Sequence, residues 1–159
     1  MTPHLLYEDV RSGDRLPTLR VEMTATLVVL GAMASRDWRP MHHDHGFAVE
    51  RQGLKDIFLN TPNQAAWFER YITDWTGPYG RLGRITFRMK GSVFPGDTML
   101  IDGTVSGVSL DDTGCGWVDL ALDLHVGDAS KTTCTARVAL PTTPDDNPWD
   151  RRGERWKPL

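Results

Sequence analysis

The chain has 159 residues, enough for one well-buried core and too few for two domains of ordinary size. A formal charge of -3 and a pI near 5.9 exclude the basic excess that general nucleic-acid binding uses. No apolar run approaches the roughly 20 residues needed to cross a bilayer, and the early charges without an apolar h-region give no sign of export, so a cytoplasmic location with no membrane partner is expected.

Residues 1–17 read as an irregular lead-in whose Ser12-Gly13-Asp14 is turn chemistry. Leu19, Val21 and Met23 alternate with polar residues and predict a first strand. Thr24 or Thr26 can cap a helix running to about Ser35, with Leu27, Leu30 and Ala34 as its predicted buried stripe. The mixed segment from Gly46 to Leu59 either covers a pocket or connects elements across the surface. Thr61-Pro62 opens a second, longer helix, since proline at the first helical position gives up no needed N–H. Ala65, Phe68, Ile72 and Trp75 share one face of it, and Gly77-Pro78 stops it. The remainder is strand-like. Ile85, Phe87 and Met89 alternate with charged and polar residues, Met99, Ile101 and Val105 follow, and then come Val118 to Val126 and Cys134 to Leu140. Asp111-Asp112-Thr113-Gly114 and Gly127-Asp128 are their turns. One long helix followed by an antiparallel meander needs a sheet curled around that helix, an α+β arrangement. We expect one domain over residues 1–140 and an extended tail over 141–159, rich in proline and carrying Trp149 and Trp156. Cys115 and Cys134 form no CxxC and read as reduced packing residues.

Between the two helices lies Asp37-Trp38-Arg39-Pro40-Met41-His42. Proline disfavours helical geometry in the residue before it, so the chain turns there and brings a carboxylate and an imidazole to one mouth. His42, His43, Asp44 and His45 are adjacent, and four consecutive residues do not readily aim four side chains at one ion, so no metal site is expected.

This segment resembles the D-x-N-P-x-H motif of MaoC-like, (R)-specific enoyl-CoA hydratases, which have the hotdog fold; Arg39 stands in place of the motif's asparagine. Tyr7-Glu8-Asp9-Val10 with Gly13-Asp14 resembles the family opening, and Phe87-Arg88 leading to Val93-Phe94-Pro95-Gly96-Asp97 resembles the strand and turn after its long helix. Roughly three quarters of the chain falls into the family's order. Ser35-Arg36-Asp37-Trp38, His42-His43-Asp44, Glu69-Arg70-Tyr71 and Thr73-Asp74-Trp75 are most similar to actinobacterial hydratases that degrade steroid side chains.

The resemblance implies hydration of an α,β-unsaturated acyl-CoA. Water must lose a proton as it adds at the β-carbon, and the α-carbon must gain one; a carboxylate and an imidazole each supply about 10²–10⁴-fold to such a step. Asp37 is then the base that orients the water and His42 its partner in proton transfer. The family's oxyanion donor falls by position on Asn60, whose main-chain N–H would face the thioester oxygen at a helix N-terminus. No cofactor is implied, because coenzyme A is part of the substrate. Arg84, Arg88 and Lys90 share one strand face that either meets the phosphates of coenzyme A or is simply solvated. A hotdog thioesterase and a non-catalytic hotdog subunit completing a partner's tunnel remain the alternatives. Apolar surface on the long helix at Trp67 and Tyr71 and in the tail predicts a homodimer or a heteromer with a second MaoC-like chain.

Overall fold

In the computed structural model of the chain, residues 5–158 are described; the first four residues of the predicted lead-in and the last residue of the tail lie outside that range. Strand β1 (Arg15–Glu22), helix α1 (Ala25–Ala34) and helix α2 (Thr61–Thr76) precede four strands, β2 (Arg81–Met89), β3 (Thr98–Leu110), β4 (Gly116–Val126) and β5 (Ala129–Leu140). The strands form one antiparallel sheet in the order β1-β3-β4-β5-β2. A flat sheet of that width would be about 19 Å from edge to edge, wider than a helix. Yet α2 touches both edge strands, β1 and β2, so the sheet curls around it. This is the hotdog arrangement expected from the sequence.

The core lies between α2 and the concave face of the sheet. Phe68, Tyr71 and Ile72 from α2 meet Ile101, Val105, Leu120, Leu122, Leu124, Cys134 and Val138, all buried. Pro17 sits in edge strand β1, where the register shifts between Leu16 and Leu19; proline has no N–H to give a ladder and is tolerated at such an irregularity. Both cysteines are free and buried, and burial pushes their thiols up to about 11 for Cys115 and about 12 for Cys134.

Three packing expectations are overturned. Helix α1 buries Val28 and Ala32, while Leu30 is 58% exposed. Tyr71 is not on an open side of α2; its ring lies in the core and closes over Gly103. The tail's Trp156, expected to need a neighbouring chain, is covered within this one. Trp156 packs at a tilt against buried Trp117 with ring centroids 4.9 Å apart, and Arg81 lies 3.6 Å over the Trp156 ring while donating to the carbonyls of Pro148 and Arg151. Arg151 is itself buried and donates to the carbonyls of Thr113 and Gly114 in the β3–β4 turn. The planar guanidinium offers several donors in fixed directions, so one side chain binds tail and turn together. Trp149 alone of the tail tryptophans stays open.

Candidate active site

Helix α1 is started by Thr24, whose hydroxyl accepts the Leu27 N–H, and it ends in a way that aims Asp37. Past the cap residue Ser35, the Arg36 N–H returns to the Met33 carbonyl and the Asp37 N–H to the Ala32 carbonyl. This pair of bonds is the Schellman ending, which needs a left-handed residue after the cap. Arg36 supplies it with φ of 54°, and the chain reverses immediately before Asp37. Arg39 is then extended ahead of Pro40, and Pro40–His42 form a tight helical turn that carries His42 back toward Asp37.

The result is an Asp37 Oδ2 to His42 Nε2 separation of 3.6 Å, with both side chains largely withdrawn from solvent. His42 Nδ1 lies 2.8 Å from the Phe58 carbonyl. A carbonyl only accepts, so Nδ1 carries the proton and Nε2 is the ring nitrogen turned to Asp37, an acceptor in the neutral form of the ring. The Phe58 ring stands edge-on against the imidazole at 4.6 Å and holds its plane.

Asn60 completes the group. It is fully buried and caps α2, its Oδ1 accepting the Asn63 N–H at 3.2 Å. Its Nδ2 donates to Ser35 Oγ at 2.8 Å and to Asp37 Oδ2 at 3.0 Å. The Ser35 hydroxyl in turn donates to the Gly31 carbonyl. Those bonds to Asp37, first the Asn60 amide and then the Arg39 N–H, with the nearby charge of Arg39, hold its carboxyl below the ordinary value against the opposing effect of burial. Asp37 is therefore an anion at neutral pH. Among the described residues the Asn60 main-chain N–H donates to no other group. The segment leading to it is pinned by the Leu59 N–H on the Val93 carbonyl at 2.9 Å. The two helices come close where Gly31 passes under the Asn63 side chain; a Cβ at Gly31 would stand 1.5 Å from Asn63 Nδ2. A cleft of about 460 Å³ opens here, lined by Ser35, Arg36, Asp37, Arg39, Thr61 and Pro62.

The structure thus brings together Asp37, His42 and Asn60. It does not bring Arg84, Arg88 or Lys90 to the cleft lining; they are exposed along edge strand β2, and Arg84 borders a separate depression of about 340 Å³ with Asp119 and Arg137. The run after His42 disperses, with Asp44 accepting the Phe47 N–H and His45 facing Asp56 at 2.9 Å. Sequence reading missed Ser35 and the Asn60 side chain as supports of Asp37, and Phe58 as the anchor of His42. Only the conjunction of a serine before the motif and an asparagine before Thr61-Pro62 hinted at them.

No family model matches the sequence. The 3-oxo-4,17-pregnadiene-20-carboxyl-CoA hydratase beta subunit of Mycobacterium tuberculosis is 37% identical over 97 residues, which cover 61% of this chain and 74% of that protein. Among solved structures, the ChsH1-ChsH2 complex from Mycobacterium tuberculosis matches with a TM-score of 0.74 at 28% identity, over 82% of this chain and 98% of that one. The unliganded (R)-hydratase PhaJ1 of Pseudomonas aeruginosa shares the fold with a TM-score of 0.78 at 18% identity, over 88% of each chain. The (R)-hydratase from A. caviae does so with a TM-score of 0.75 at 22% identity, over 84% of this chain and 99% of that one. On the strength of that hydratase subunit and the shared curled sheet, the chain belongs to the MaoC-like hydratases of the hotdog fold.

Proposed function

We propose that this chain is a catalytic enoyl-CoA hydratase subunit, a hydro-lyase working at Asp37 and His42. The observation that carries the reading is the 3.6 Å gap between an anionic Asp37 Oδ2 and the bare Nε2 of His42, two acceptors facing one point. A water bound there gives one hydrogen to each. As its oxygen bonds to the β-carbon, an O–H bond breaks and its proton passes to the pair. The π electrons move to the thioester oxygen, and the enolate then takes a proton at the α-carbon from the same side. The charge that develops on the thioester oxygen is met by the Asn60 N–H at the start of α2, where the helix dipole favours it. Addition from one side accounts for a single stereochemical outcome, which in this family is the (R)-alcohol.

A bulky, steroid-derived acyl group is supported by the name of the Mycobacterium relative. Phe68 and Tyr71 fill the space under α2, so an acyl chain of any size lies against the surface of this chain. A second hotdog chain covering that surface fits a relative that is a beta subunit and a similar structure that is a two-protein complex. The unpaired, buried cysteines fit a reducing, cytoplasmic setting. The test is to purify the chain alone and co-expressed with a candidate partner and to follow loss of enoyl absorbance. Turnover that needs Asp37 and His42 of this chain supports the reading; turnover untouched by their loss assigns the chain to the non-catalytic role, and thioester cleavage in place of hydration assigns it to the thioesterases.

A further inference from the structure

Neither of two guanidinium groups at the cleft transfers a proton in the hydration, although the charge of Arg39 helps to lower the Asp37 pKa. Arg36 and Arg39 flank Asp37 on the cleft wall, and both are exposed. Arg36 is the single non-glycine residue with positive φ among the described residues, and it occupies the position after the helix cap where glycine is the unstrained choice. A long charged side chain held at a strained position calls for a reason that the backbone does not supply. Ion pairing is not that reason. Among the described residues Arg36 pairs with no acidic group, and Arg39 comes only within 3.9 Å of Asp37 with its side chain 75% exposed, a loose contact.

We propose that Arg36 and Arg39 bind the phosphate groups of the substrate's coenzyme A half, an inference that rests on the hydratase reading. With the β-carbon at Asp37 and His42 and the thioester oxygen at Asn60, the pantetheine arm leaves through the mouth that these two residues border. It is a flexible arm with phosphates at its far end, and arginine pairs with phosphate oxygens two bonds at a time. The field argues the same way. The chain carries a net charge of -3 and as a whole repels a polyanion. Two cations beside the one carboxylate of the cleft reverse that sign locally and concentrate the substrate where it reacts.

The experiment is calorimetric titration of free coenzyme A and of pantetheine into the assembled protein and its variants, with thermal melting alongside. Arg36→Gly and Arg39→Ala should each weaken coenzyme A binding by about tenfold or more, the size of a hydrogen bond to a charged group. Pantetheine binding should be unchanged, and Arg36→Gly should melt no lower than the parent because its left-handed backbone is relieved. Arg36→Asn, which also tolerates that backbone, should reproduce the loss. Coenzyme A binding that survives both arginine changes overturns the proposal. So does an equal loss of coenzyme A and pantetheine, or a loss that appears with Arg88→Ala or Lys90→Ala instead. Since titration needs no turnover, a protein that binds coenzyme A through these arginines but hydrates nothing refutes the hydratase reading and leaves the phosphate site standing.

Discussion

Asp37 owes its lowered pKa first to a neighbour 23 residues away, and that dependence can be measured. With the Asn60 amide in place, the Asp37 carboxyl titrates below its ordinary value. Changing Asn60 to Asp keeps a good helix cap but puts a carboxylate where the donor was, and like charges at hydrogen-bond distance raise each other's pKa. The acid limb of the kcat/KM profile should therefore move to higher pH in Asn60→Asp, and a profile that stays in place would separate Asn60 from the base. Removing the reacting groups is a harsher change. Asp37→Asn and His42→Ala should each lower turnover by at least about 10²-fold with unchanged circular dichroism, because neither side chain belongs to the apolar core. The Asp/His pair was legible in the sequence because a proline turn acts locally. The support from Asn60 was not, because nothing local ties residue 60 to residue 37.

Among the elements, legibility followed contrast. Helix α2 has a polar side, so its phase could be read, apart from the aromatic Tyr71 that turned out buried. Helix α1 reads Ala-Thr-Leu-Val-Val-Leu-Gly-Ala-Met-Ala, apolar on every side, and no periodicity can then say which side faces inward; the stripe chosen from sequence was the wrong one. The β3–β4 turn was correctly placed, but its strength was not visible. Asp111 accepts bonds from the Thr113 and Cys115 N–H groups, the Thr113 hydroxyl and the Trp117 indole. Burial pushes its carboxyl up, yet those donors, the Trp117 indole foremost, hold it far below the carboxylate range. A lowered pKa in the folded state stabilises above the unfolded value and is lost as pH falls through the folded one. Asp111→Ala should cost at least about 2 kcal/mol in urea unfolding at pH 7, and the cost should shrink as pH drops below about 4. An equal penalty at pH 7 and pH 2 would show that packing, not charge, is at stake.

Taken as a whole, the molecule has two sheet edges that differ in their protection. Strand β1 carries Pro17 and a register shift, whereas β2, shifted only near its start between Leu82 and Arg84, keeps Leu82, Ile85, Phe87 and Met89 half-buried. The apolar excess expected from Tyr71 and Trp156 is satisfied within the chain, and Leu30, Trp38 and Trp149 are left open in their place. Light scattering should find a dimer or larger assembly, and a fully active monomer at micromolar concentration would contradict it. The curled sheet around α2 was foreseeable because the order of one long helix and four following strands admits few compact solutions. The docked tail was not, because its hold comes from Arg81 and Arg151, whose partners are distant carbonyls that composition does not reveal.

On the hydratase reading proposed above, the bridge from Asn60 to Ser35 and Asp37 makes catalysis a witness to helix docking. Ser35 and Asp37 follow the end of α1 and Asn60 starts α2, so the base keeps its donor only while two helices outside the sheet stay together across Gly31 and Asn63. An opening that lifts α1 away leaves all five strands paired and their circular dichroism intact, while the carboxylate loses its amide. In rising urea, then, a hydratase working at Asp37 should fall silent before it unfolds.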